Sequence, residues 1–184
     1  MFIQTEATPN PATLMFLPGL SVAGPSPADF RNAEDAARSP LAAALFEIEG
    51  VREVFLGADF VSVTKDDRDW GQIKPIVLGA LMEHFVSGAP VFADGGVASE
   101  EDEFFAPEHA ETVDEIKDLI ETRVRPAVAG DGGDIRFRGF KDGTVYLSMK
   151  GACSGCPSST ATLKHGIENL LKHFVPDVQA VEQI

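Results

Sequence analysis

An interruption constrains this chain more than any motif in it. Between Ser87 and Glu108 the hydrophobic periodicity stops, and Gly88, Pro90, Gly95, Gly96 and Pro107 break any regular element. Residues 94 to 115 carry nine acids and no Lys or Arg. A like-charged run punctuated by turn formers has no face to bury, so it reads as an acidic linker over 87–108. The 184 residues then divide into two small domains, 1–86 and 109–184, each with a modest core of its own. Phe92, Phe104 and Phe105 are apolar for such a segment, and the reading adopted is that they anchor it to the C-terminal domain.

Both halves mix helix and strand. In the first, Phe2 to Glu6 and Thr13 to Leu17 are short strands around the Thr8-Pro9-Asn10-Pro11 turn. A Pro/Gly/Ser loop follows. Ser39-Pro40 supplies a cap and a first-turn proline for a helix over 41–47, which Gly50 closes. Val51 to Leu56 and Phe60 to Thr64 form a hairpin around Gly57-Ala58-Asp59, and Ile73, Val77, Ala80 and Leu81 give one buried stripe on a helix over 69–85. Pro75 is compatible with that helix only near its first turn.

In the second half, Val113, Ile116, Ile120 and Val124 mark an amphipathic helix. Ile135 to Phe140 and Thr144 to Met149 flank Lys141-Asp142-Gly143, a hairpin turn. Leu163, Ile167, Leu170, Leu171 and Phe174 mark a second helix, stopped near Pro176, and Val178 to Val181 supply a last strand. The expected class is α+β, two small mixed domains joined by an acidic linker, the C-terminal one α-β-β-α-β.

A formal net charge of -14 repels phosphates and anionic lipid, which argues against nucleic acid or a membrane as a principal partner. No apolar run approaches the ~18 residues of a membrane span. The start Met1-Phe2-Ile3-Gln4-Thr5-Glu6 has neither a basic leader nor an Arg/Ser-rich presequence, and the expectation drawn from it is a bacterial cytoplasmic protein.

The chain has two cysteines, three apart, in Gly151-Ala152-Cys153-Ser154-Gly155-Cys156-Pro157. A bridge across so short a loop restrains almost no chain, and a reducing compartment keeps such thiols free. Metal or redox chemistry remains. Backbone N–H groups and the positive helix end favour thiolates at a helix start, so the pair is expected to be poised for ligation or attack. Gly151 and Gly155 allow unusual backbone angles beside the sulfurs, and Pro157 suits a first helical turn.

Three readings follow. Iron-sulfur clusters usually take four thiolates, so a chain with two completes the set only when two copies meet about a twofold axis. Residues 135 to 175 hold Arg136, Arg138, Lys141, Lys150, Lys164 and Lys172 against Asp142 and Glu168, a formal +4 that would suit an anionic cluster. Thiol-disulfide oxidoreductases also place C-x-x-C after a strand, although here an antiparallel hairpin precedes it rather than a β-α-β unit. Zinc is the third: eight helical residues separate His165 from His173 by ~12 Å, which prevents both from joining one monomeric site, but four thiolates from two chains could hold the metal. Asp131-Gly132-Gly133-Asp134 reads as a helix-to-strand turn, and no Ser/His/Asp order, Walker motif or paired-carboxylate site is identifiable. Nothing in the sequence requires an enzyme.

The sequence also resembles a known family. Asp131-Gly132-Gly133-Asp134-Ile135, the hairpin, the Gly151 to Ser159 stretch and Leu163-Lys164-His165-Gly166-Ile167-Glu168 resemble the NifU C-terminal domain. Gln4-Thr5-Glu6-Ala7-Thr8-Pro9-Asn10-Pro11, Phe46-Glu47-Ile48-Glu49-Gly50-Val51 and the 69–85 helix resemble the Nfu N-terminal domain. The resemblance implies a non-enzymatic scaffold or carrier holding a 4Fe-4S cluster between two subunits through Cys153 and Cys156. It implies homodimerisation on cluster binding, apo iron-sulfur proteins as recipients and upstream cluster-assembly proteins as donors. The first half, which has no cysteine, would select those partners.

Overall fold

The computed structural model describes residues 1–94, 102–154 and 157–184, with the backbone alone for 157–159. The chain divides into two compact units, Met1–Ala98 and Ser99–Ile184.

The first unit is an antiparallel sheet backed by helices. Strands β1 (Gln4–Ala7), β2 (Thr13–Leu17), β3 (Ala28–Phe30), β4 (Val51–Leu56) and β5 (Val61–Lys65) lie in the order β1-β2-β5-β4-β3. Helices α1 (Ala33–Ala36), α2 (Pro40–Phe46) and α3 (Trp70–Ser87) complete it. The α2 start follows its residues: Ser39 Oγ accepts from the Ala42 N–H at 3.1 Å, Pro40 occupies the first turn, and the same hydroxyl donates to the Val91 carbonyl at 2.6 Å. Ile73, Val77 and Leu81 of α3 are buried at four-residue intervals in one core with Phe16, Leu45 and Val63, the stripe expected of a single packed helix face.

Three features differ from the sequence expectation. Pro75 sits inside α3, the sixth residue from its start, beyond the first turn; there it removes one amide donor without ending the helix. The Pro/Gly/Ser loop contains β3 and α1, with Asn32 Oδ1 capping α1 through the Asp35 N–H at 2.8 Å. Of residues 87–108, Val91 and Phe92 pack on the first core while Phe104–Phe105 form a strand of the second unit. Gly95 and Gly96 lie outside the described residues.

In the second unit, β6 (Phe104–Phe105) precedes α4 (Ala110–Leu119), which runs through a π-turn (Ile120–Val124) into α5 (Arg125–Gly130). The hairpin β7 (Gly133–Lys141) and β8 (Thr144–Gly151), helix α6 (Pro157–Phe174) and β9 (Ala180–Gln183) follow. The sheet order is β6-β7-β8-β9, with the central pair antiparallel and both outer pairs parallel. Apart from β6, which precedes it, the unit follows the expected α-β-β-α-β order, and the class α+β holds. Asp142 and Gly143 both take positive φ, 51° and 75°, as a tight hairpin turn demands. Phe104 stacks on Tyr146 with ring centres 5.2 Å apart, and a Cβ on Gly139 would overlap the Phe104 ring. Among the described residues no helix is long and apolar enough to cross a membrane.

Candidate metal centre

Cys153 follows the end of β8. The register sets Gly133 opposite Gly151 and Asp134 opposite Lys150, so the start of β7 lies beside the cysteine loop. Gly151 turns the chain with φ 72°, and Gly132, φ 81°, accepts the Ala152 N–H at 3.2 Å. The Ser154 N–H and hydroxyl both reach the Gly151 carbonyl, at 3.1 and 2.9 Å, and the Thr160 hydroxyl donates to the Cys153 carbonyl at 2.7 Å. Strand end, turn and helix α6 are thereby tied together through the Gly132, Gly151 and Cys153 carbonyls.

The thiol points inward. Cys153 is 5% exposed and belongs to the core with Ile135, Met149 and Ile167. A Cβ on Gly133 would lie 2.6 Å from the Lys150 carbonyl oxygen and 3.0 Å from Cys153 Sγ. Glycine is therefore what lets the sulfur close against β7. Cys156 and Gly155 lie outside the described residues.

The charge around Cys153 corrects one expectation. Burial, and then the negative charges of Asp131 and Asp134, push its thiol up to about 11; the sequence reading had the helix end favouring a thiolate. Desolvation disfavours the charged sulfur, and the nearby acids add to that. Three of the six cations in the local +4 are already paired: Lys164 with Glu182 at 3.0 Å, Lys172 with Glu168 at 2.6 Å and Arg136 with Asp134 at 3.4 Å. His165 and His173, weighed for zinc, are both exposed on α6, and His173 packs edge-on to Phe174.

A raised thiol predicts slow chemistry in the empty protein. In a Cys156→Ser variant, iodoacetamide should modify Cys153 on the order of 100-fold more slowly at pH 8 than an ordinary exposed thiol, from the smaller thiolate fraction alone. The rate should still be climbing at pH 10. A rate that levels off by pH 8 would contradict this picture.

Sequence reasoning missed the support beneath the loop. Asp134, 7% exposed at its side chain, receives Arg125 Nε at 2.8 Å and Nη2 at 3.2 Å, a two-point pairing, with Arg136 Nε at 3.4 Å. Glu121, one helical turn before Arg125, takes the remaining Nη1. The Asp131 to Asp134 motif was visible in the sequence, but only the β7–β8 register shows that it lies next to Cys153. Among the described residues no three His, Cys, Asp or Glu side chains are grouped to hold a metal ion.

A five-stranded α+β unit followed by a four-stranded one with C-x-x-C between the end of β8 and the start of α6 defines a NifU-type architecture. The family model described as the scaffold protein Nfu/NifU N terminal matches residues 3–88, and the NifU-like domain matches 116–182. The chain is similar along its whole length to NifU-like protein 4, mitochondrial, of Arabidopsis thaliana, with 52% identity over 186 residues covering 66% of that protein. It is 46% identical over 190 residues to the NFU1 iron-sulfur cluster scaffold homolog, mitochondrial, of Homo sapiens, covering 72% of it. The solution structure of a NifU-like protein from Saccharomyces cerevisiae matches 50% of this chain and 85% of its own, at 29% identity and TM-score 0.46. This chain belongs to the Nfu/NifU family. It spans about two thirds of the length of the curated relatives it matches first.

These matches overturn the expectation of a bacterial cytoplasmic protein. The relatives from Arabidopsis thaliana and Homo sapiens are mitochondrial by name. The first residues misled because they are part of the folded unit: Ile3 is buried and Gln4 opens β1, so their composition reports a strand and carries no record of compartment.

Proposed function

We propose that this chain is a carrier of an iron-sulfur cluster, a 4Fe-4S unit held as cargo between two copies by Cys153 and Cys156 and passed to apo-proteins. The observation that carries the reading is the half-set of sulfur ligands: two cysteines per chain, and among the described residues no grouping that would complete a site alone. Four thiolates need two chains. The names of the relatives support a scaffold role, and Nfu/NifU membership supports an iron-sulfur cargo rather than zinc.

The chain's own residues bear on release as well as binding. Each thiol must lose its proton to bind iron, and the surroundings of Cys153 favour the protonated form, so loading releases a proton there. The same feature counts against a dithiol oxidoreductase, whose attacking sulfur needs a depressed pKa. On this reading the chain is not an enzyme, donors are upstream assembly proteins, and the first unit contributes partner selection.

The test is anaerobic reconstitution of the full chain, with iron and sulfide counted per chain and mass measured in parallel. The expected result is about two irons and two sulfides per chain in a dimer, half of a four-iron cluster each. A loaded monomer, or protein that never takes up iron but reduces disulfides, would replace this reading.

A further inference from the structure

Helix α3 buries one side and leaves an apolar ridge on the other. Ile76 is 55% exposed, Met82 40% and Val86 73%, and Gly79 completes the line at helical spacing. A Cβ on Gly79 would meet nothing within 4 Å. The fold therefore gives no reason for glycine in the middle of this helix, where it weakens the helix relative to alanine. Glycine on an exposed helix face does allow a second backbone to come close. At its N-terminal end the ridge runs into a groove between the end of α2 and the start of α3, lined by Ala44, Ile48, Ile73 and Ile76 with Glu47 and Glu49 at its rim. Exposed apolar side chains lined up on one helix face beside an apolar groove point to an interaction face.

Charge selects the occupant. Residues 1–94 hold thirteen acids against six Lys and Arg, net -7. At the groove, Arg68 already lies 3.7 Å from both Glu49 and Asp66, and Glu83 flanks the ridge beside Met82. Two copies pairing through this face would bring like-charged surfaces together, and an anionic lipid surface would be repelled. A basic flank would be attracted.

We infer that the exposed face of α3 docks an amphipathic helix of a partner protein, its apolar side on Ile76, Met82 and Val86 and its Lys/Arg flank toward Glu47, Glu49 and Glu83, with Gly79 as the point of closest approach. Helix-in-groove recognition uses this combination of spaced apolar anchors and a charged margin. The inference rests on the partner selection proposed for the first unit, but its test involves no cysteine and can fail while the cluster-carrier reading stands.

The test uses the full chain and three synthetic peptides of about 18 residues, five helical turns. One carries a Leu ridge flanked by Lys, one has Glu in place of Lys, and one is a scramble of the Lys peptide. In fluorescence anisotropy the Lys-flanked peptide should bind, and the other two should bind at least about tenfold more weakly. Gly79→Leu and Ile76→Asp should each weaken the Lys-flanked peptide about tenfold or more, as loss of an interface anchor does. Gly79→Leu fills open space, so its melting temperature should not fall, which separates lost docking from lost folding. Equal binding of the Glu or scrambled peptide, or variants that bind like the parent, would overturn the inference. So would an apo dimer in sedimentation velocity that Gly79→Leu dissolves, or phosphatidylserine vesicles retained by the parent and released by the variants.

Discussion

Cys153→Ser is expected to lower bound iron and sulfide by at least about tenfold and to leave the reconstituted protein monomeric, since each copy loses one of the two thiolates it brings to a four-ligand set. Cys153 lies in the core, so an unpartnered hydroxyl there costs about 1–2 kcal/mol. Cys153→Ala keeps the position apolar and separates loss of ligation from loss of fold. Cys156→Ser should match it in iron content. Substantial iron in a dimer of any of these variants would end the proposal that these two residues are the ligands. The measurement is elemental iron and acid-labile sulfide, with light scattering on the same anaerobic sample.

The second large effect concerns the ion pair beneath the loop, and it should be asymmetric. Arg125→Met leaves the Asp134 carboxylate buried without its two-point partner, although Arg136 stays at 3.4 Å; breaking a buried pair from one side costs about 3 kcal/mol. Asp134→Leu leaves Arg125, whose side chain is 22% exposed and which keeps Glu121, so its guanidinium reaches water and the loss should be smaller. The double variant should recover part of the Arg125→Met loss. Urea melts of the full chain resolve this if the two units unfold in separate transitions, and the effect belongs to the second. Equal single-variant losses with no recovery would show that the pair does not act as a unit.

How much of this was legible in the sequence depended on whether the signal was local. Ser39-Pro40, Asp142-Gly143 and the Ile73-Val77-Leu81 stripe are local, and each element appears where its cap, turn or period puts it. Strand β3 and strand β6 were not legible: three residues and two residues are too short to alternate, and both exist because a neighbouring strand offers an edge. The cysteines were evident from spacing, their surroundings were not. Counting back from the Lys141–Thr144 pair by simple alternation puts Gly133 opposite Ala152; the irregularity between Phe137 and Gly139 shifts it to Gly151. No residue type at that point announces the shift. Yet it decides that Gly133 lies against the sulfur and that the Asp134 carboxylate lies near it. The expectation of a poised thiolate failed for the same reason, because helix polarity can be read along a chain while burial and facing carboxylates cannot.

The π-turn at Ile120–Val124 is a matter of phase. Val113, Ile116, Ile120, Val124 and Val128 are all buried, yet an ideal α-helix would carry the last of them about 60° around its axis from the first. A wider turn absorbs that drift. It lets one continuous rod keep its greasy seam on the sheet for its whole length and still deliver the Arg125 guanidinium to β7. A chain evolving under pressure to keep both could not trim that segment by even a single residue without throwing one of them out of alignment.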